Sequence, residues 1–396
     1  FYLRAPAFSL HMSSSPSPSP IYGLPPGPFP VGVTTVEVVD RSRRDPGDPS
    51  SPRRLQTEIW YPAAAETGTV NRFSDFLGGG AIPGSIERAN DPKAIGGYRD
   101  GLTVAELDGG VWTNHAMRDA HPSGTGLPLV LFSHGAGAFR ASYIYWTEFL
   151  ATHGYVVAAP DHPGSARYTQ VGGKVITPGG ARSTWDSMAG ERPRDMIAVL
   201  DFFDGRERTE GPPTALQERL RGATDAQNVA MTGMSFGGHT TANVMMERDP
   251  RIKVAVLKCP ALFDRNYSAL AGGAPIMVML GSEDTVIGNR DGNGKAKAYL
   301  DTHDKDSYLV EVRRGGHVSF TSCEIYNKEY GNGIGSKSPS LTRPGEFYKP
   351  LDIVEQHQMI NTYGLAFLNK YLLPNQQDDA GRKLLLDAAR GEGPFS

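Results

Sequence analysis

The stretch Val229–Gly238 places the tightest constraint on how this chain of 396 residues can fold. It reads as a short buried strand that stops in a tight turn, with a helix starting at once. The pattern Gly233-x-Ser235-x-Gly237 is typical of a nucleophile elbow, in which a serine hydroxyl projects above the edge of a sheet. The glycines remove the Cβ atoms that would collide where strand and helix cross. The helix expected at Phe236–Arg248 adds N–H groups beside the serine.

The rest of the chain predicts a mostly parallel sheet with helices on both faces. A hairpin at Thr35–Asp40 and Gln56–Pro62 is expected first, and continuous apolar runs then alternate with helical patterns. Such alternation is typical of βαβ units, so we expect an α/β fold with eight strands in the sheet. The later strands are expected at Leu127–Ser133, Tyr155–Pro160, the segment from Val229, Lys253–Lys258, Ile276–Leu280 and Leu309–Val312, and the helices at Ser142–His153, Arg192–Phe203, Phe236–Arg248, Lys295–His303 and Asp352–Leu372.

One α/β domain is expected over residues 31–374, between a leader and a tail. Residues 1–30 are expected to be the leader, vector-derived up to His11-Met12 and then disordered because Pro and Ser alternate. The other segments outside the regular core are an irregular insertion at 63–126, loops over the strand ends at 165–190 and 322–350, and a tail at 375–396.

Composition narrows the possible partners of the chain. The formal net charge is −3, so neither nucleic acid nor an anionic membrane surface is indicated. The chain has no apolar run of membrane-spanning length, and no membrane span is expected. It also has no His-x-x-x-His or Cys-x-x-Cys spacing, so no catalytic metal is expected.

Further short motifs accompany the elbow along the chain. They are Ile59-Trp60-Tyr61-Pro62, Phe132-Ser133-His134-Gly135-x-Gly137, His153-Gly154-Tyr155-Val156-Val157, Asp161-His162-Pro163-Gly164, Arg192-Pro193-x-Asp195 and Gly315-Gly316-His317. Through these motifs the chain resembles the α/β-hydrolases, and within them the platelet-activating-factor acetylhydrolase and dienelactone-hydrolase-like esterases. The resemblance implies a serine carboxylesterase that needs no cofactor.

The resemblance also implies a catalytic triad of Ser235, Asp284 and His317. A serine hydroxyl is a weak nucleophile, so it needs a general base that is itself held by a carboxylate. In this superfamily the chain order is serine, acid, histidine. Asp284 matches the family position of the acid, and Glu283 is the alternative one position away. Histidines 134 and 162 are interpreted as residues that brace loops.

The oxyanion hole and the substrate cleft follow from the same resemblance. The backbone N–H groups of Ala136 and Phe236 are expected to hold the oxyanion. Ala136 is small, and residues 261–274 are too few for a cap domain, so we expect loops to roof the cleft. The expected substrates are small-molecule or polymeric esters with acetyl to butyryl acyl groups, hydrolysed without activation at a lipid interface. The aromatic candidates for substrate binding are Tyr168, Trp185, Phe320 and Tyr326.

Several alternatives stay open at this point. An amidase or peptidase on the same fold is one, and a non-catalytic binding protein with a hydrolase-like fold is another. Cys259 and Cys323 are both expected near the carboxyl-end rim of the sheet, where they form either a disulfide or two free thiols. A disulfide requires an oxidising compartment, and a secreted or periplasmic location is favoured over a cytoplasmic one. Nothing in the sequence indicates an oligomeric state.

Overall fold

The computed structural model describes residues 21–65, 67–80, 103–111, 115–206, 208–262, 273–303, 306–322, 329–334, 337–373, 381 and 383–384. Residues 1–20 of the predicted leader at 1–30, and nearly all of the predicted tail at 375–396, lie outside these residues. Residues 21–30 of that leader are described, and the fully buried Tyr22 donates its hydroxyl hydrogen to Glu148 Oε1 at 2.5 Å. Within them, no helix combines the length and the apolar character needed to cross a bilayer.

Most of the strands join one large sheet. In chain order the strands are β1 (Val31–Asp45), β2 (Asp48–Pro62), β3 (Thr69–Val70), β4 (Ala116–Arg118), β5 (Leu127–Ser133), β6 (Val156–Pro160), β7 (Thr169–Val171), β8 (Lys174–Ile176), β9 (Thr224–Met234), β10 (Ile252–Lys258), β11 (Ile276–Gly281), β12 (Ser307–Val312), β13 (Ser338–Pro339) and β14 (Phe347–Tyr348). In the described part of the chain the sheet has ten strands in the order β12-β11-β10-β9-β5-β6-β2-β1-β4-β3. The pairs from β12 to β6 are all parallel, whereas β2 pairs antiparallel with both β1 and β6.

The helices cover both faces of this sheet. The longer ones are α1 (Ile144–Thr152), α2 (Trp185–Phe203), α3 (Ala215–Ala223), α4 (Phe236–Met246), α5 (Gly292–Asp301) and α6 (Ile353–Leu372), and short helical turns lie at Phe73–Gly80, Val104–Glu106, Leu107–Val111, Gly180–Ser183, Thr285–Gly288 and Val318–Phe320. Residues of α1 and α6 pack in one hydrophobic core, and residues of α2 to α5 pack in a second core on the opposite face.

Strand β5 shows why the central strands are apolar throughout. Val130 and Phe132 belong to the core with α1 and α6, whereas Leu129 and Leu131 belong to the core with α2 to α5. Successive side chains of a strand point to opposite faces, so a sheet covered on both faces selects continuous apolar runs. The predicted α/β fold with helices on both faces is confirmed, and the bounds predicted for β5 are those observed.

Two differences from the predicted elements have local causes. The insertion at 63–126 contributes the short strands β3 and β4, which extend the sheet from eight strands to ten. Strands of two or three residues are too short to show a period. Helix α2 begins at Trp185 rather than at Arg192, because the Thr184 hydroxyl caps it by accepting a hydrogen bond from the N–H of Ser187 at 3.2 Å.

Candidate active site

Ser235 lies on the sharp turn between β9 and α4. Its backbone has φ 58° and ψ −118°, a conformation that costs a residue with a side chain about 1–3 kcal/mol. A Cβ on Gly233 would overlap the carbonyl oxygen of Gly237, and a Cβ on Gly237 would overlap the carbonyl oxygen of Ser133. Both glycines are therefore required for helix and strand to cross this closely. The N–H of Ser235 donates to the carbonyl of Lys258 at 2.8 Å, which ties the turn to the end of β10.

The side chains of Ser235, His317 and Asp284 form one hydrogen-bonded chain. His317 Nε2 lies 2.9 Å from Ser235 Oγ, and His317 Nδ1 lies 2.7 Å from Asp284 Oδ2. The acid follows β11 and the histidine follows β12, so both reach the carboxyl-end edge of the sheet, where Ser235 lies. With Nδ1–H donating to the carboxylate, Nε2 is free to accept the serine proton.

Asp284 has a different task for each carboxylate oxygen. Oδ2 accepts from His317, while Oδ1 accepts from the N–H groups of Val286 and Ile287 at 3.0 and 3.1 Å. The second oxygen thus caps the one-turn helix Thr285–Gly288. Because the side chain is fully buried, the carboxylate has one orientation, with Oδ2 toward the imidazole.

Glu283, the alternative acid, turns toward a different loop. Its carboxylate accepts hydrogen bonds from the hydroxyls of Ser340 and Thr342 and from the N–H of Leu341. Burial raises the pKa of Glu283, but these hydrogen bonds outweigh it and hold the pKa below its ordinary value. The structure therefore brings Asp284, and not Glu283, to the histidine.

Sequence reasoning missed Asn332, which links the acid turn to the histidine turn. Its Oδ1 accepts from the N–H of Thr285 at 3.0 Å and from the N–H of His317 at 3.1 Å. Its Nδ2 donates to the carbonyl of Glu283 at 2.6 Å. A glycine on each side marks Asn332 as a turn residue, and the sequence carries no signal for its distant partners.

The loop that follows β5 places Ala136 beside the serine. A Cβ on Gly135 would lie 3.3 Å from Ser235 Cβ, so the loop touches the elbow. The N–H groups on either side of Ala136 are bound, Gly135 to the Tyr143 hydroxyl and Gly137 to the Ser165 carbonyl, each at 2.9 Å. No described residue accepts a hydrogen bond from the N–H of Ala136 itself, and the residue is exposed. Phe236, the first residue of α4, also has an N–H outside the helical hydrogen-bond pattern.

The predicted substrate-binding aromatics are placed very differently from one another. Trp185 is 37% exposed and lies edge-on to Phe236, with ring centroids 4.8 Å apart. Tyr168 and Phe320 have no exposed surface, so they pack against the protein rather than line an open cleft. The Tyr168 hydroxyl donates to the Leu77 carbonyl at 3.4 Å. Tyr326 lies outside the described residues.

Cys259 lies next to the histidine and the acid. In the described part of the chain, Cys259, Asp284 and His317 are the one group of side chains close enough to share a metal ion, with donor atoms within 4.8 Å of one another. Burial raises the pKa of the Cys259 thiol, and a protonated thiol is a poor metal ligand. Cys323 lies outside the described residues, so the disulfide stays a prediction.

Sequence comparison links the chain to one group of hydrolases. The family profile described as platelet-activating factor acetylhydrolase, isoform II, matches residues 82–175. The platelet-activating factor acetylhydrolase of Cavia porcellus is 25% identical over 282 residues, which are 66% of this chain and 62% of that protein. The probable 1-alkyl-2-acetylglycerophosphocholine esterase of Arthroderma benhamiae is 28% identical over 59% of this chain and 57% of that protein. The chain thus matches less than two thirds of the length of these relatives.

A solved structure supports the fold independently. The ferulic acid esterase from Streptomyces cinnamoneus superposes with a TM-score of 0.61, covering 87% of this chain and 91% of that chain at 23% sequence identity. That likeness agrees with the large, mostly parallel sheet. The chain therefore has the α/β-hydrolase fold and is similar in sequence to the platelet-activating factor acetylhydrolases.

Proposed function

We propose that the protein is a serine carboxylesterase that uses Ser235, His317 and Asp284 as its catalytic triad. The observation that carries this proposal is the imidazole of His317, held between Ser235 Oγ at 2.9 Å and Asp284 Oδ2 at 2.7 Å. The serine is partly exposed, whereas the acid is fully buried. A substrate can thus reach the nucleophile while water is kept from the carboxylate that orients the base.

The proposed reaction proceeds through an acyl-enzyme. Ser235 Oγ attacks the ester carbonyl and its proton passes to His317 Nε2, while the N–H groups of Ala136 and Phe236 hold the oxyanion. The imidazolium then protonates the leaving alcohol as the tetrahedral intermediate collapses. Water, deprotonated by the same imidazole, attacks the acyl group and releases the acid with Ser235 restored.

We propose short acyl groups as substrates, from acetyl to butyryl. The methyl side chain of Ala136 leaves space beside the scissile carbonyl, and the relatives named above are an acetylhydrolase and an acetylglycerophosphocholine esterase. Trp185 is 37% exposed while its ring packs edge-on against Phe236, and this supports the proposal that Trp185 contacts an aromatic or otherwise bulky group of the ester.

The test combines a covalent probe with paired substrates. A fluorophosphonate probe is expected to label the wild-type chain once and to leave S235A unlabelled. p-Nitrophenyl acetate and butyrate are expected to be cleaved faster than the octanoate, and the matched p-nitroanilides much more slowly than the esters. No labelling of Ser235 would mean a binding protein, and equal anilide rates would mean an amidase. A sharp rise in rate on micelle formation would contradict the short-acyl proposal.

A further inference from the structure

A second group of polar side chains lies beneath the loop that carries Ala136. We call it the buried polar cluster, and its members are Ser133, His134, His162, Arg192 and Asp195. Each of them is at most 1% exposed. Polar groups are retained in such a position only when hydrogen bonds compensate for their loss of water. None of these five side chains takes part in the proposed triad mechanism.

Hydrogen bonds through the cluster run in one consistent direction. Arg192 Nη2 donates to Ser133 Oγ at 3.0 Å, and Ser133 Oγ lies 3.0 Å from His162 Nε2. Burial lowers the pKa of His162 to about 3, so this histidine is neutral at about pH 7. Its single N–H is Nδ1–H, which donates to Asp195 Oδ2 at 2.9 Å, and its Nε2 therefore accepts from Ser133.

Two further arginines anchor the far end of the cluster to the β1–β2 hairpin. Arg53 Nη2 lies 2.8 Å from Asp195 Oδ2, and Arg43 Nη2 lies 3.0 Å from Asp195 Oδ1. Burial raises the pKa of Asp195, but the charges of Arg53 and Arg43 outweigh it and hold the pKa well below its ordinary value. The Asp195 end of the cluster is therefore charged, and its ion pairs with Arg43 and Arg53 fix it to the sheet.

At its other end the cluster supports the Ala136 loop from both flanks. Arg192 Nη2 also donates to the carbonyl of His134, on the near flank. Its Nη1 donates to Ser165 Oγ at 3.1 Å, and the Ser165 carbonyl accepts the N–H of Gly137 on the far flank. One guanidinium thus holds both sides of the loop.

His134 fixes the peptide that bears the Ala136 N–H. Its Nε2 accepts from the N–H of His162 at 3.1 Å, so its proton is on Nδ1, which donates to the Gly135 carbonyl at 2.7 Å. The carbonyl and N–H of a trans peptide point in opposite directions. Holding the Gly135 oxygen on the protein side therefore turns the Ala136 N–H away from the cluster.

The same guanidinium also contacts the residue that carries the other oxyanion donor. Arg192 Cζ lies 4.8 Å from the centroid of the Phe236 ring, in cation–π geometry. We propose that Arg192 is a positioning residue that sets both N–H groups of the oxyanion hole. It does so through the His134 carbonyl on one side and the Phe236 ring on the other. This inference rests on the proposed esterase function.

The first measurement uses R192M, which preserves much of the side-chain volume but removes every donor. With rates normalised to active sites counted by fluorophosphonate labelling, kcat for p-nitrophenyl acetate should fall by up to about 100-fold, because oxyanion donors are misplaced. KM should change by less than about threefold, since the oxyanion forms only after binding. R192K should fall in between, because a lysine can donate to the carbonyl but cannot lie flat on the ring.

A trifluoromethyl ketone supplies a readout that a merely structural role would not move. Ser235 Oγ adds to the ketone carbonyl, its proton passes to His317, and the resulting adduct carries an oxyanion. The inhibition constant should therefore rise by the same factor as kcat/KM falls across wild type, R192K and R192M. A variant that only lost folded protein would give fewer active sites with an unchanged inhibition constant.

R251M is the matched control. Arg251 Nη1 donates to Asp201 at 3.0 Å near the carboxyl end of α2, the helix that also carries Arg192, and it does not contact the Ala136 loop. This variant should lose stability while kcat per active site and the inhibition constant stay within about twofold of wild type. If R192M and R192K keep wild-type kcat and ketone affinity, the inference is overturned.

A different result is expected if the protein is not an esterase at all. Wild-type protein would then hydrolyse the ester no faster than S235A, and the Arg192 inference would fall with it. If R192M does not fold, the measurements on R192K alone test the inference. Parallel changes in its kcat/KM and ketone inhibition constant support the inference, and unchanged values overturn it.

Discussion

The described part of the molecule contains two Ser–His–Asp arrangements with nearly the same hydrogen-bond geometry. In the proposed triad the Ser–His and His–Asp distances are 2.9 and 2.7 Å, and in the buried polar cluster they are 3.0 and 2.9 Å. Access separates them, because Ser235 is partly exposed on a strained turn while Ser133 is fully buried at the end of β5. Distances alone therefore do not identify a nucleophile.

The low pKa of His162 also argues against proton transfer from Ser133 within the buried polar cluster. His162 is fully buried and also faces the positive charges of Arg192 and Arg53, and together these effects lower its pKa to about 3. An imidazole with so low a pKa is a poor acceptor for a serine proton at about pH 7. We therefore propose that the Ser235 arrangement reacts and that the Ser133 arrangement holds a loop in position.

The largest expected effect separates the two serines. S235A should reduce kcat by about 10⁶-fold, because the nucleophile is lost. S133A removes an acceptor for Arg192 and a donor to His162, and it should reduce kcat by no more than about tenfold, since the His134 carbonyl remains bound to the guanidinium. Steady-state hydrolysis of p-nitrophenyl acetate measures both variants. Comparable losses would mean that the buried arrangement takes part in the chemistry.

The next effect concerns the two acids, Glu283 and Asp284, that follow β11. D284N should reduce kcat by about 10⁴-fold, because an amide at this position holds the wrong tautomer of His317. E283Q should reduce kcat far less, since the Glu283 carboxylate bonds only the 340–342 loop. Circular dichroism of both variants would show whether the fold is retained. The reverse order of losses would place the catalytic acid at Glu283.

Some parts of this site could be predicted from the sequence, and the reason is local. Gly233 is required by the carbonyl of Gly237 within the same turn, the Gly-x-Ser-x-Gly spacing is itself a local pattern, and His317 follows a strand whose end faces the elbow. Asn332 could not be predicted in this way, because its partner Glu283 is 49 residues away and a single amide has no period. Arg192 was visible as part of a motif, but its contact with the His134 carbonyl depends on how α2 packs against β5.

The third effect should appear in stability. D195N leaves Arg43 and Arg53 facing a neutral amide in a buried site, and breaking such an ion pair costs about 3–5 kcal/mol. D284N loses charge at a helix cap and should reduce the free energy of unfolding by only about 1 kcal/mol. Urea unfolding measures both values. Equal losses of unfolding free energy in the two variants would show that the ion pairs of Asp195 with Arg43 and Arg53 do not anchor the cluster.

The smallest effect is the pH dependence of stability. Burial lowers the pKa values of His162 and His357 from 6.5 to about 3 in the folded protein. Between these values the unfolded chain binds protons that the folded protein does not, so the free energy of unfolding falls as the pH decreases. Each histidine contributes a slope of up to about 1.4 kcal/mol per pH unit, and its stabilising effect is complete above about pH 6.5.

H162Q isolates the contribution of the cluster to that slope. Urea unfolding at about pH 6.5 and about pH 5 avoids most carboxylate titration, which lies lower. Relative to wild type, the slope in H162Q should be smaller by up to about 1.4 kcal/mol per pH unit. The remaining slope should still reflect His357, which lies outside the cluster, with Nδ1 3.1 Å from the carbonyl oxygen of Ile21 and Nε2 3.2 Å from that of Thr321. An unchanged slope in H162Q would mean that His162 has the same pKa in the folded and unfolded states. The assignment of a neutral His162, which sets the direction of the hydrogen bonds from Arg192 to Asp195, would then be wrong.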